Sequence, residues 1–130
     1  MKRSFKMVLP LYVHTTKSRT KKGKFILNLN NYRRVHFFTL NKAKAEFKRL
    51  LKFPDKKFST VSLAFVYFHG NKQKVDVSNP CSIIDKFFCD ALVDAGVIED
   101  DNQDIVKIVS YIGGGVDKDY PRCEVLVKEL

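Results

Sequence analysis

A chain of 130 residues, 45% hydrophobic and carrying sixteen aromatics, has the length and apolar content for one packed domain rather than a disordered binder. Its formal net charge of +10 favours a polyanionic partner, while three cysteines without a CxxC pair argue against a disulfide framework or a zinc site. No apolar run reaches the length of a membrane span or forms a signal-peptide core, so the expectation is a soluble protein of a reducing cytoplasm, with no membrane partner.

The charge is divided along the chain. Residues 1–74 hold 19 Lys or Arg against two acids, Glu46 and Asp55, whereas residues 75–130 hold five against twelve. Solubility alone requires no such division. The first stretch suits phosphates and the second suits cations.

Residues 4–14, SFKMVLPLYVH, predict a first strand, with Pro10 marking an edge position or a bend. Five of the next residues 17–24 are basic: Lys17, Arg19, Lys21, Lys22 and Lys24. Such a run is either a solvated loop or one that closes on a DNA backbone, releasing a counterion for each phosphate neutralised. Residues 24–38 predict a short strand, a turn over Asn28 to Asn31, and a crowded group of Tyr32, Arg33, Arg34 and His36. Arginine clamps phosphates and tyrosine stacks on bases, so Tyr32, Arg33 and Arg34 form a candidate DNA surface. The plainer alternative makes Tyr32 and Phe37 core residues and the arginines merely solvated.

Residues 39–53 predict an amphipathic helix capped by Thr39 or Asn41, with Leu40, Ala43, Phe47, Leu50 and Leu51 on its apolar face. The opposite face is rich in lysine. Residues 59–69 predict a central strand buried on both faces. A second helix is expected from Pro80 to Ala95, capped by Ser78 or Asn79 and ended by Gly96. Residues 104–112 predict a strand, Gly113 to Gly115 a turn, and residues 122–128 a final hairpin strand. The sum is a single α+β domain over 1–130, with a mixed sheet of about five strands and two main helices.

The acidic groups surround the second helix. Asp76 precedes it, Asp85 and Asp90 lie on it beside Lys86, and Glu99, Asp100 and Asp101 follow it. Phosphodiester hydrolysis at neutral pH needs charge stabilisation and an activated water, both of which a Mg²⁺ ion supplies. Mg²⁺ takes oxygen ligands, commonly one or two carboxylates, and Asp76 and Asp101 are of that type. Lys86 can orient or stabilise the phosphate. The alternative is a solvated acidic loop with no metal.

The run DALVDAGVIEDDNQ, from Asp90 to Gln103, with an aspartate motif and a lysine upstream, resembles the RusA family of Holliday-junction resolvases. LPLY at 9–12 and LNLNNYR at 27–33 are similar to the N-terminal segment of phage-type members. The resemblance implies a RusA-like fold and a homodimeric crossover junction endodeoxyribonuclease that nicks four-way DNA in recombination and repair. It implies Mg²⁺, with Mn²⁺ as a substitute, and a site in the cytoplasm of a bacterial or phage-infected cell. Asp76, Asn79 and Asp101 take the positions of the family's site residues, with Asp100 as the other member of the acidic pair. Ser78 stands where the family has a second aspartate, and Lys86 stands seven residues after Asn79 instead of three. That four-residue difference is close to one helical turn, and Asp85 or Asp90 offers a replacement charge. A straight helix over 80–95 would be about 24 Å long, so Asp76 and Asp101 meet only by fold-back of the 96–101 segment or across a dimer. The expectation is fold-back within one chain, supported by a partner.

Overall fold

The computed structural model describes residues 2–16 and 23–130. Strands β1 (Ser4–Leu9) and β2 (Tyr12–His14) come first, followed by β3 (Lys24–Ile26), helix α1 (Leu29–Arg34) and helix α2 (Phe37–Arg49). Strand β4 (Val61–His69), helix α3 (Ser78–Asp94), β5 (Val106–Val116) and β6 (Arg122–Glu129) complete the chain. The fold is α+β, as expected. Its strands divide between a four-stranded mixed sheet of order β1-β6-β4-β5 and a separate β2-β3 pair.

The division occurs at Pro10. A proline offers no N–H to a ladder and restricts the residue before it, so the expected single strand over 4–14 breaks in two. β1 pairs antiparallel with β6, from Ser4 opposite Lys128 to Leu9 opposite Cys123. β2 leaves that sheet and pairs with β3, placing Tyr12 opposite Ile26 and His14 opposite Lys24.

β4 is interior, flanked by antiparallel β6 and parallel β5. Only one of its faces is fully buried, that of Val61, Leu63 and Phe65, while the alternate residues are half-covered. The apolar run therefore signals an interior strand but not one covered on both sides. Parallel neighbours need a crossover, and α3 provides it between β4 and β5.

α3 is the hub of the core. Ile83, Ile84, Phe87, Phe88, Ala91 and Leu92 form a buried stripe at helical spacing. Phe88 meets Phe65 of β4 edge-on at 5.9 Å, and Phe87 meets Phe47 of α2 at 5.6 Å and Phe25 of β3 at 6.1 Å. Each phenylalanine removed from water in this way contributes about 1.5–3 kcal/mol.

Three local expectations are corrected. A short helix, α1, replaces the expected turn at Asn28–Asn31, because the Asn28 side chain accepts from the Asn31 N–H and caps it. α2 begins at Phe37, capped by His36 rather than by Thr39 or Asn41. β5 continues through Gly113–Gly115, and β6 pairs with β1 and β4, so the last two strands are not a hairpin. Gly114 suits a strand here because a side chain would meet Val66 Cγ1 and Phe68 Cε1 at 2.8 Å. Among the described residues no helix is long and apolar enough to cross a membrane.

Candidate functional site

Both ends of α3 carry expected site residues. The helix starts at Ser78, two residues before Pro80, and its first turn has no side-chain cap. Ser78 instead turns back to Asp76: its Oγ and its backbone N–H donate to Asp76 Oδ1 at 3.0 and 3.3 Å. Asn79 Oδ1 accepts the Leu29 N–H at 2.9 Å, tying the first turn of α3 to the start of α1. The asparagine therefore anchors two helices, and Asp76 stands exposed beside it.

At the other end Gly96 adopts φ +76, the left-handed conformation that closes a helix without penalty for glycine. Its N–H reaches Val93 O at 3.0 Å and the Val97 N–H reaches Leu92 O at 3.0 Å. Val97 and Ile98 are then buried, and Val97 O accepts from the Phe58 N–H. The chain turns back, bringing Asp101 into the field of Asp90 and not, as the expected fold-back required, to Asp76. Burial first, then the charges of Asp100 and Asp90, hold the Asp101 carboxyl above the usual aspartate range. Asp100 Oδ1 accepts the Asp101 N–H at 2.8 Å, and Asp100 Oδ2 accepts from Asn102.

The turn-back is short. Asp90 lies twelve residues along α3 from Ser78, roughly 18 Å at 1.5 Å per residue. Asp76 and Asp101 thus belong to opposite ends of the crossover. Among the described residues no three His, Cys, Asp or Glu side chains form a group that could hold a metal ion. The oxygen donors at Asp100 and Asp101 are of the type Mg²⁺ prefers, and one or two such carboxylates plus water commonly suffice. They would hold the ion, and the chemistry it supplies is polarisation of a phosphate and of a bound water.

Asp85 and Lys86 part company. Lys86 is exposed, while Asp85 is half-buried and engaged. Asp85 Oδ2 accepts the Tyr111 hydroxyl at 2.6 Å, and Oδ1 accepts from the Cys89 thiol at 3.1 Å. Burial, followed by Asp85, pushes both the Tyr111 hydroxyl and the Cys89 thiol up, so both remain protonated donors. This pin between α3 and β5 was not foreseen, because it depends on the register of β5 and no local pattern announces it.

The basic residues fall into two groups. Lys44 pairs with Asp90 at 3.4 Å, Lys48 pairs with Asp94, and Arg49 engages Glu46 of its own helix. Much of the lysine-rich face of α2 is therefore neutralised by α3 rather than presented to a partner. Arg33 and Arg34 are exposed and form no ion pair among the described residues. Tyr32 packs partly against the core, as the plainer reading had it. Phe37 does not: it and Phe38 are 59% and 62% exposed, stacked 4.3 Å apart with His36 against them. The sequence signal was present in HFF, one residue after YRR. Lys24 is exposed and lies over the Tyr12 ring at 4.0 Å. Lys17, Arg19, Lys21 and Lys22 lie outside the described residues.

No protein-family model matches the chain, and no curated protein matches it.

Proposed function

We propose that the protein is a Mg²⁺-dependent, structure-selective endodeoxyribonuclease that resolves four-way DNA junctions by paired nicking. The observation that carries this reading is the adjacent pair Asp100 and Asp101 in a chain of net charge +10, with Asp101 held above its ordinary range by burial and by the charges of Asp100 and Asp90. Carboxylates pressed together in this way gain most from a divalent cation, and a basic protein brings phosphates to them. Asp101 and Asp100 are the proposed metal ligands, Asp76 the further carboxylate, and Lys86 the group that faces the phosphate. Arg33, Arg34 and the exposed aromatics beside them supply backbone and base contacts. The protein acts as a homodimer in the cytoplasm, two subunits matching the two-fold symmetry of the junction.

The deciding measurement is cleavage of a synthetic four-way junction. Symmetric nicks with Mg²⁺, lost with chelator and lost in Asp101→Asn, are expected. Nicking that survives both would sink the proposal. A second reading, a DNA-binding module without catalysis, is favoured by Asp76, whose Oδ1 already accepts two hydrogen bonds from Ser78. Junction binding without nicking under any divalent cation would select it.

A further inference from the structure

A concavity of about 840 Å³ opens where β1 gives way to β2, beside the C-terminal end of β4 and the start of β6. Of the acidic residues discussed above only Glu46 lines it, and its carboxylate is engaged by Arg49. Its walls combine apolar strand residues with Tyr12, Tyr120, Lys24, His14 and His69. That is the composition of a site for a planar, anionic ligand: mostly apolar walls, aromatic faces and a few polar groups.

Three details narrow the ligand. Tyr12 and Tyr120 remain 43% and 55% exposed, so each keeps ring surface open to solvent. Each is backed by a cation: Lys24 Nζ sits 4.0 Å from the Tyr12 centroid, and the Arg122 guanidinium 5.0 Å from that of Tyr120. Arg122 is itself held by Asp117 at 2.7 Å and Glu124 at 2.8 Å, so it fixes the ring rather than a ligand. Lys24 has no carboxylate partner among the described residues and is the cation left for a phosphate. Finally, His14 Nδ1 and His69 Nε2 are buried without a hydrogen-bond partner, an arrangement that is costly unless something polar enters.

We propose that this pocket holds one unpaired nucleotide, its base stacked on Tyr12 and Tyr120, its phosphate at Lys24, and its polar edge toward the two histidines. A base that stays paired in a duplex cannot bring a ring face to the tyrosines. An unpaired one can, and stacking tolerates any base. The pocket also has a covalent link to the candidate site. Its rim includes Asn71, and Asp76 is the fifth residue after it, a reach of at most about 18 Å. Resting on the nuclease reading, the pocket would seat a nucleotide freed at the branch near the strand to be cut.

The test uses the full chain in chelator, with a single-stranded oligonucleotide carrying one 2-aminopurine, the same oligonucleotide in perfect duplex, and 2-aminopurine deoxynucleoside monophosphate. The chain has no tryptophan, so tyrosine absorption leaves the probe window clear. Quenching of the unpaired probe but not the duplex one is expected, with affinity about tenfold lower in Tyr12→Ala and near wild type in Tyr12→Phe. Tyr120→Ala, at a more exposed position, repeats the test should Tyr12→Ala fail to fold. Unchanged quenching in both alanine variants overturns the pocket. Quenching by the monophosphate with none in the strand overturns the DNA source. Because chelator removes cleavage, quenching that persists in a protein unable to nick with Mg²⁺ counts against the nuclease and for the pocket.

Discussion

Asp101 is the residue at which stability and function pull in opposite directions. Its folded-state pKa is raised by burial and by Asp100 and Asp90. A carboxylate raised on folding binds its proton more tightly in the folded chain. Stability is therefore full below the ordinary aspartate range and falls as pH climbs through that range to the raised value. At neutral pH the charged side chain is a net cost. Asp101→Asn is expected to melt about 1–2 °C above wild type at pH 7, a gap that closes in acid. Thermal melts across pH check this, and Mg²⁺ should raise the wild-type melting temperature while leaving the variant unmoved. The Tyr111 hydroxyl acts in the opposite sense, since it satisfies Asp85 across 2.6 Å. Tyr111→Phe deletes only that donor and should cost about 1.5–3 kcal/mol in denaturant unfolding, the range for hydrogen bonds to charged groups. A loss below about 0.5 kcal/mol would show that water replaces the hydroxyl.

Among elements, the amphipathic helices, β4 and β6 were legible in the sequence, because their periodicity reports burial directly. The elements misread were those decided by distant partners. Gly113–Gly115 has the local chemistry of a turn, yet Gly113 and Gly115 pair with Tyr67 and Phe68 across a bulge, and between them Gly114 sits where a side chain would meet Val66 and Phe68. Pro10 was recognised as a bend, but not as the point where the chain changes sheets. The candidate site divides similarly. Asp100 and Asp101 are adjacent in sequence, whereas the approach of Asp101 to Asp90 needs the turn at Gly96. That turn is testable by itself. A Cβ at Gly96 would touch nothing within 4 Å, so Gly96→Ala carries only the cost of a left-handed residue, about 1–2 kcal/mol. Chemical denaturation measures it, and a larger loss would reveal a steric role that the structure does not contain.

At the scale of the molecule, two questions turn on placement rather than composition. Asp76 and Asp101 lie at opposite ends of the α3 crossover, so a site using both has to draw them from two subunits. Mixed dimers of Asp76→Asn and Asp101→Asn then contain one intact site and should recover single-strand nicking, whereas sites confined to one chain would leave the mixture inactive. The second question concerns the +10 charge, which overstates what DNA can meet, because Lys44 and Lys48 are committed to Asp90 and Asp94. Each lysine or arginine that neutralises a phosphate adds about 0.9 to the slope of log affinity against log salt. Arg33→Ala and Arg34→Ala should each flatten that slope by about one, while Lys44→Ala and Lys48→Ala should leave it within error. The paired lysines act on folding instead, and their removal should lower stability by no more than about 0.5 kcal/mol each, as befits exposed pairs. Binding titrations of a four-way junction at several salt concentrations separate the two groups. Slopes flattened by Lys44→Ala and Lys48→Ala as much as by the arginine variants would mean that the lysine face of α2 also meets the DNA.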